Sequence, residues 1–154
     1  TLLIIAHTPS PNTAALAKAG LDACLGYDGY DHCEIKTRCL SPFDVTSPDL
    51  LAADAVIIGT TENIGYMAGA TKDMFDRCYN DWLGNSDAKP VAIYIRVGLD
   101  GTATKRALTS ICGSLKWRLV AEPVILHGDW NDAFCKEVGD LCLGLAAGLD
   151  AGIF

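Results

Sequence analysis

The chain has 154 residues, half of them hydrophobic and a fifth charged, which suits a single globular domain with a substantial core. Nineteen acidic against twelve basic residues leave a net charge of −7, which excludes a basic nucleic-acid-binding face and suits docking to basic redox partners. No apolar run reaches the length of a membrane span, and the run at residues 2–5 is too short for a signal-peptide core, so a cytoplasmic location is expected.

In chain order, the first element is the apolar run Leu2–Ala6, followed by a polar loop and an Ala-rich helical pattern over residues 13–25, in which Gly20 would let the helix lie close to a sheet. Residues 33–38 alternate, with Glu34, Lys36 and Arg38 on one side and Cys33, Ile35 and Thr37 on the other, as in an edge strand with one wet face. Ser47, Pro48 and Asp49 read as N-cap, N1 and N2 of a short helix reaching about Ala53. A second continuous apolar run covers residues 55–59. A long loop then leads to a helix over residues 70–79 that turns Met74, Phe75 and Cys78 inward. Residues 91–95 form a further apolar run, residues 102–116 a helix burying Leu108, Ile111, Cys112 and Leu115, and residues 119–126 a last strand. The closing helix, about residues 131–149, repeats Phe134, Val138, Leu141, Cys142 and Leu145 at a 3.6-residue period.

Short Ile- and Val-rich runs without alternation suit parallel strands buried on both faces. Alternation of strand and helix predicts a single α/β domain over residues 1–154: a three-layer α/β/α sandwich on a five-stranded parallel sheet. With the alternating strand at an edge, the strand order is 2-1-3-4-5, and winding reverses between strands 1 and 3. Ligands in such sheets bind beyond the carboxyl ends of the strands at that reversal, so the loops after Ala6 and Gly59 are the ones to inspect.

The first loop, HTPSPNT, places Thr8, Ser10, Asn12 and Thr13 around Pro11 at a helix N-terminus. Hydroxyls, an amide and free N–H groups there can hold a phosphate without a cation; the same residues would also serve as a plain cap through Asn12 or Thr13. The second loop, TTENIGYMAG, runs from Thr60 through Thr61, Glu62, Asn63, Ile64, Gly65 and Tyr66, and its polar tips and flat apolar surface suit a planar heteroaromatic ring. Simple packing of Ile64, Tyr66 and Met67 on the sheet is the alternative. The third loop, with Gly98, Leu99, Asp100 and Gly101, would close the other side of the ring. His7 and His127 fall at the carboxyl edge as candidate proton donors, or as ordinary strand-end residues.

Several chemistries lack their motifs. No G-x-G-x-x-G follows the first strand, no phosphate-loop lysine motif occurs, and no G-x-S-x-G elbow exists. Seven cysteines without a C-x-x-C pair read as small buried hydrophobes in a reducing compartment, and no metal site is expected. Trp82 with Leu83, and Trp130, are candidates for a dimer contact, a pocket rim or simple packing.

Residues 8–13 resemble the phosphate loop of the flavodoxin-like superfamily, usually written [ST]-x-T-G-x-T, and residues 53–77 are similar to its third strand, ring-binding loop and helix. The resemblance is to the flavodoxin and NAD(P)H-dependent FMN reductase branches. It implies non-covalent FMN, with Thr8, Ser10, Asn12 and Thr13 at the phosphate, residues 61–66 along the isoalloxazine and residues 98–101 over its far side. It further implies an oxidoreductase taking electrons from NAD(P)H to a small acceptor such as a quinone, often as a dimer. The alternatives are an electron carrier working with a redox protein, and an FMN-free binding module on the same fold. Pro11 stands where the family has Gly, Thr61 where the reductases have Pro, and the third loop has no aromatic shield.

Overall fold

The computed structural model describes residues 1–29 and 35–154. β1 (Leu2–Ala6), α1 (Pro11–Leu25), β2 (Thr37–Leu40), α2 (Ser47–Leu51) and β3 (Ala55–Asn63) form the first half. β4 (Tyr66–Met67), α3 (Gly69–Trp82), β5 (Pro90–Val97), α4 (Thr102–Ser114), β6 (Arg118–Leu119), β7 (Val124–His127) and α5 (Ala133–Asp150) complete it. The parallel sheet runs β2-β1-β3-β5, with β6 and β7 sharing the outer edge of β5. This is the 2-1-3-4-5 order read from the sequence. The register sets Leu2 beside Ala55 and Ala6 beside Gly59, so β1 ends opposite Gly59 while β3 runs four residues further.

Period-two alternation splits the buried strands between two cores. Leu3, Ile5, Val56, Ile58, Val91 and Ile93 meet α2, α3 and α4 through Leu50, Met74, Phe75, Leu108 and Cys112. Leu2, Ile4, Ala55, Ile57, Ala92 and Tyr94 meet α1 and α5 through Leu16, Ala17, Val138, Cys142 and Leu145. Truncating a central residue such as Ile57 to Ala would leave a cavity costing about 2–5 kcal/mol. In the first core Phe75, Trp82 and Trp117 pack together, with the two indole rings 5.7 Å apart.

Four sequence expectations are corrected. The edge strand is Thr37–Leu40, sharing only Thr37 and Arg38 with the alternating stretch, because the pairing of Thr37 with Leu2 aligns it with the start of β1; Cys33 and Glu34 lie outside the described residues. The last strand is split: Val120 still donates to Val91, but Pro123 has no N–H to continue the ladder, and pairing resumes at Val124. Gly20 serves helix contact rather than sheet contact, since a β-carbon there would lie 2.7 Å from Cys142 Sγ on α5. Thr46, not Ser47, precedes the first turn of α2, and its N–H and hydroxyl donate to Asp49 at 2.9 and 2.6 Å. Trp82 is fully buried, which leaves packing as its role, while Leu83 beside it is exposed. Cys24, Cys78, Cys112 and Cys142 are buried, as small hydrophobes should be, and burial pushes the Cys112 thiol up to about 12.

Candidate functional site

The loop after β1 leads to α1 on one face of the sheet, and the segment after β3 leads to α3 on the other. A crevice therefore opens beyond Ala6 and Gly59. The ladder continues one residue further, with the His7 N–H donating to Gly59 O at 2.9 Å. Gly59 is required here: a β-carbon would fall 2.1 Å from Tyr94 Cζ, whose buried ring lies across it.

Ser10, rather than Asn12 or Thr13, caps α1. Its Oγ accepts from the Thr13 N–H at 3.3 Å, and its own N–H donates to Thr13 Oγ1 at 3.0 Å, a reciprocal capping box. Thr13 is buried and its hydroxyl donates to Ser10 O at 2.9 Å. That leaves the Ser10 hydroxyl proton as the one a ligand can draw away. Pro11 occupies N1, where the missing N–H is one that the helix would leave unpaired in any case. Thr8 and Asn12 are exposed, and the Asn12 N–H has no intrahelical partner. Lys18 is turned to an ion pair with Asp22 at 2.5 Å, so the loop offers hydrogen bonds rather than charge.

The expected second loop is instead a β-hairpin. β3 runs on to Asn63, and β4 returns with Asn63 opposite Tyr66 and Glu62 opposite Met67. The two turn residues, Ile64 at φ 52° and Gly65 at φ 72°, both lie in the left-handed region, as a type I′ turn requires. Gly suits that geometry, but a β-branched residue there is strained by about 1–2 kcal/mol. Ile64 nevertheless stands fully exposed, at 105% of its reference area, so packing does not explain it. The stem is secured from inside: Thr60 Oγ1 lies 2.8 Å from Thr71 Oγ1, and the Ala68 N–H donates to Thr61 O at 3.0 Å. Thr60 and Thr61 are thus buried stem residues, whereas Asn63, Ile64 and Tyr66 face outward.

Glu62 ties the hairpin to the third loop. Its carboxylate accepts from the Leu99 N–H at 2.6 Å and from the Gly101 N–H at 2.9 Å. Leu99 Cδ1 comes within 4.0 Å of where a β-carbon on Gly65 would stand. Asp100 accepts from the Thr102 N–H at 2.9 Å, and Gly101 turns the chain into α4 at φ 74°. Gly98 is exposed beside them. The root of this loop is held by Arg96, whose guanidinium donates to the carbonyls of Val97, Leu126 and Gly128.

The structure adds Phe43, which sequence reasoning missed. It follows β2 at the same sheet edge, is 64% exposed, and meets His7 edge-on with centroids 6.5 Å apart. An aromatic just beyond an edge strand was the available signal. Burial lowers the His7 pKa, so its imidazole stays neutral near pH 7. His127 ends β7, on the far side of β5 from β3, and is exposed. Phe43, Ile64, Tyr66 and Leu99 are exposed apolar side chains on the loops at one sheet edge, beside the hydroxyls of the first loop.

No protein-family model and no curated protein matches the sequence. Solved structures do match its shape. A flavodoxin from the domain Archaea superposes with a TM-score of 0.75 at 18% identity, over 94% of this chain and 95% of that one. A flavodoxin, WrbA-like protein from Agrobacterium tumefaciens gives 0.73 at 15% identity, over 98% and 96%. The flavodiiron protein from Giardia intestinalis gives 0.75 at 12% identity, over 94% of this chain but 35% of that one. The chain has the flavodoxin-like fold.

Proposed function

We propose that this chain is an FMN-binding redox protein, acting as an NAD(P)H-dependent oxidoreductase that passes electrons to a small acceptor such as a quinone. The observation that carries the reading is the Ile64–Gly65 hairpin tip. A strained, fully exposed β-branched residue is held beside Leu99 through Glu62, at the edge where such sheets take ligands.

The residues fit the cofactor. Thr8, the Ser10 hydroxyl, the Asn12 amide and the first-turn N–H of Asn12 would hold the phosphate at the positive end of the α1 dipole. Pro11 at N1 removes a donor but presets the turn that presents the others. Asn63, Ile64, Gly65 and Tyr66 would line one side of the ring, and Gly98, Leu99 and Asp100 the other. Thr60, Thr61, Thr13 and Gly101 would act by holding these segments in place. When bound, FMN supplies one- and two-electron redox chemistry. Glu62 would influence it by fixing the third loop, since both of its oxygens already accept backbone N–H groups.

The net charge of −7 and the full-length likeness to a flavodoxin favour a second reading, an electron carrier docking to a redox protein. Adding FMN to the purified chain and measuring visible absorbance and NAD(P)H consumption with a quinone separates the two. Turnover above that of free FMN supports the oxidoreductase. FMN binding without such turnover favours the carrier, and absence of FMN binding refutes both.

A further inference from the structure

The break in the last strand leaves space behind it. β6 pairs with Pro90 and Val91 and β7 with residues from Tyr94 onward, so Ala92 on β5 has no strand partner on that side. Between this gap and α5 lies a cavity of about 550 Å³, within the usual size of a small-ligand site. Ala92 lies at its floor, and Val120, Val124, Leu141, Leu145 and the Phe154 ring form its walls. Ala92 precedes Val97 by five residues, which at a strand rise of roughly 3.3 Å places the cavity about 16 Å from the carboxyl edge.

The glycines of helix α5 bear on this space. Helix α5 contains three glycines, each less favourable there than alanine. At Gly139 a β-carbon would meet Ala19 O and Ala23 Cβ of α1 at 3.7 Å, an ordinary contact distance. Gly148 makes room for the Phe154 ring, 2.0 Å from where a β-carbon would be. Gly144 has no such neighbour; a β-carbon there would meet nothing within 4 Å, and Gly144 lines the cavity.

The mouth is acidic, with Glu122, Glu137 and Asp140 around it. Glu122 pairs with Lys105 at 2.9 Å and Asp140 with Lys136 at 2.5 Å, both exposed pairs that solvent weakens. Glu137 has no ion pair among the described residues. The Phe154 ring already receives a cation on its face, with Arg118 Cζ 5.6 Å from the ring centroid. We infer that this cavity binds a small amphipathic organic amine, its apolar body against Ala92, Leu141 and Phe154 and its ammonium group at Glu137. A carboxylate ligand of the same shape would meet a like charge at Glu137, whose two acidic neighbours are already paired with lysines.

The test uses three probes with one apolar body: 4-phenylbutylamine, 4-phenylbutanol and 4-phenylbutyrate. Each is titrated into the isotope-labelled full chain and followed by amide NMR shifts. The amine should shift Ala92, Val120, Val124 and Gly144 saturably, bind at least about 3-fold more tightly than the alcohol, and exceed the carboxylate by more. Glu137→Gln should bring amine and alcohol to equal affinity while leaving the alcohol unchanged. Gly144→Leu, which adds a better helix former into open space, should abolish binding of both while the circular dichroism stays native. Absence of saturable shifts, shifts centred on Thr8, Glu62 and Leu99, equal affinity of amine and alcohol for the unmodified chain, or undiminished binding by either variant would overturn the inference.

Discussion

Replacing Glu62 by Ala removes the one side chain that joins the hairpin to the third loop, and the two hydrogen bonds it loses are not equivalent. Leu99 is exposed, so water replaces the carboxylate at its N–H and the net loss is at most about 1 kcal/mol. Gly101 is buried, so its N–H is left without an acceptor, at about 1–3 kcal/mol. Together they amount to roughly 1–4 kcal/mol, and at about 2–4 °C per kcal/mol for a chain of this size Tm should fall by about 2–16 °C. Glu62→Gln keeps one oxygen and turns an NH2 toward the other donor, so it should lose about half as much. Urea and thermal unfolding give the totals. Amide exchange locates them: Leu99 and Gly101 should exchange faster, while Ile57 should change only as much as global stability does. FMN should also bind more weakly, because Leu99 is no longer held beside Gly65. An unchanged melting temperature with unchanged exchange at Gly101 would refute the assignment of Glu62 as the tie.

Gly59→Ala puts a β-carbon into the Tyr94 ring and should destabilise by about 1–3 kcal/mol in urea unfolding, with partial recovery when Tyr94→Leu is added. Ile64→Asn relieves the left-handed β-branched residue and should raise stability by about 1 kcal/mol while weakening FMN binding; a loss of stability would contradict the strain. Ser10→Ala removes the α1 cap, and unfolding should show a loss of about 1 kcal/mol together with a weaker FMN dissociation constant. The Thr46 hydroxyl and N–H, with Arg38 beside them, hold the Asp49 carboxyl below its ordinary range. Asp49 therefore stabilises the fold fully above its unfolded-state value of about 4, and that stability is lost as pH falls through the lower folded value. The stability gap between the native chain and Asp49→Asn should accordingly be constant near neutrality and close on acidification below about pH 4.

Strands buried on both faces leave unbroken apolar runs, and that is why Leu2–Ala6 and the core of β3 and β5 were legible. The strand order followed from placing the one alternating segment at an edge, though its residues were misplaced because β2 is fixed by register with β1 rather than by its own pattern. The hairpin was hidden for a different reason. Ile-Gly is a poor type I′ turn by local preference, so nothing in residues 60–69 announced β4. Local sequence offered Asn12 or Thr13 as the cap; Pro11 at N1 puts it one place ahead of the proline, at Ser10. The Glu62 tie spans 37 positions in the chain, so no local signal reports it, and Phe43 comes to the crevice through strand order, which its place just beyond the edge strand only hinted at.

The two cores of this sheet carry separate chromophores. Trp82 and Trp117 lie buried together on the α3 and α4 side, with Phe75 packed against both. Trp130 stands edge-on to Phe134 at 6.0 Å on the α5 side and is partly open to solvent. Indoles 5.7 Å apart couple electronically, so near-ultraviolet circular dichroism reads the integrity of one layer. Selective quenching of Trp130 reads the other, and the chain carries its own optical means of asking whether its two layers come apart together.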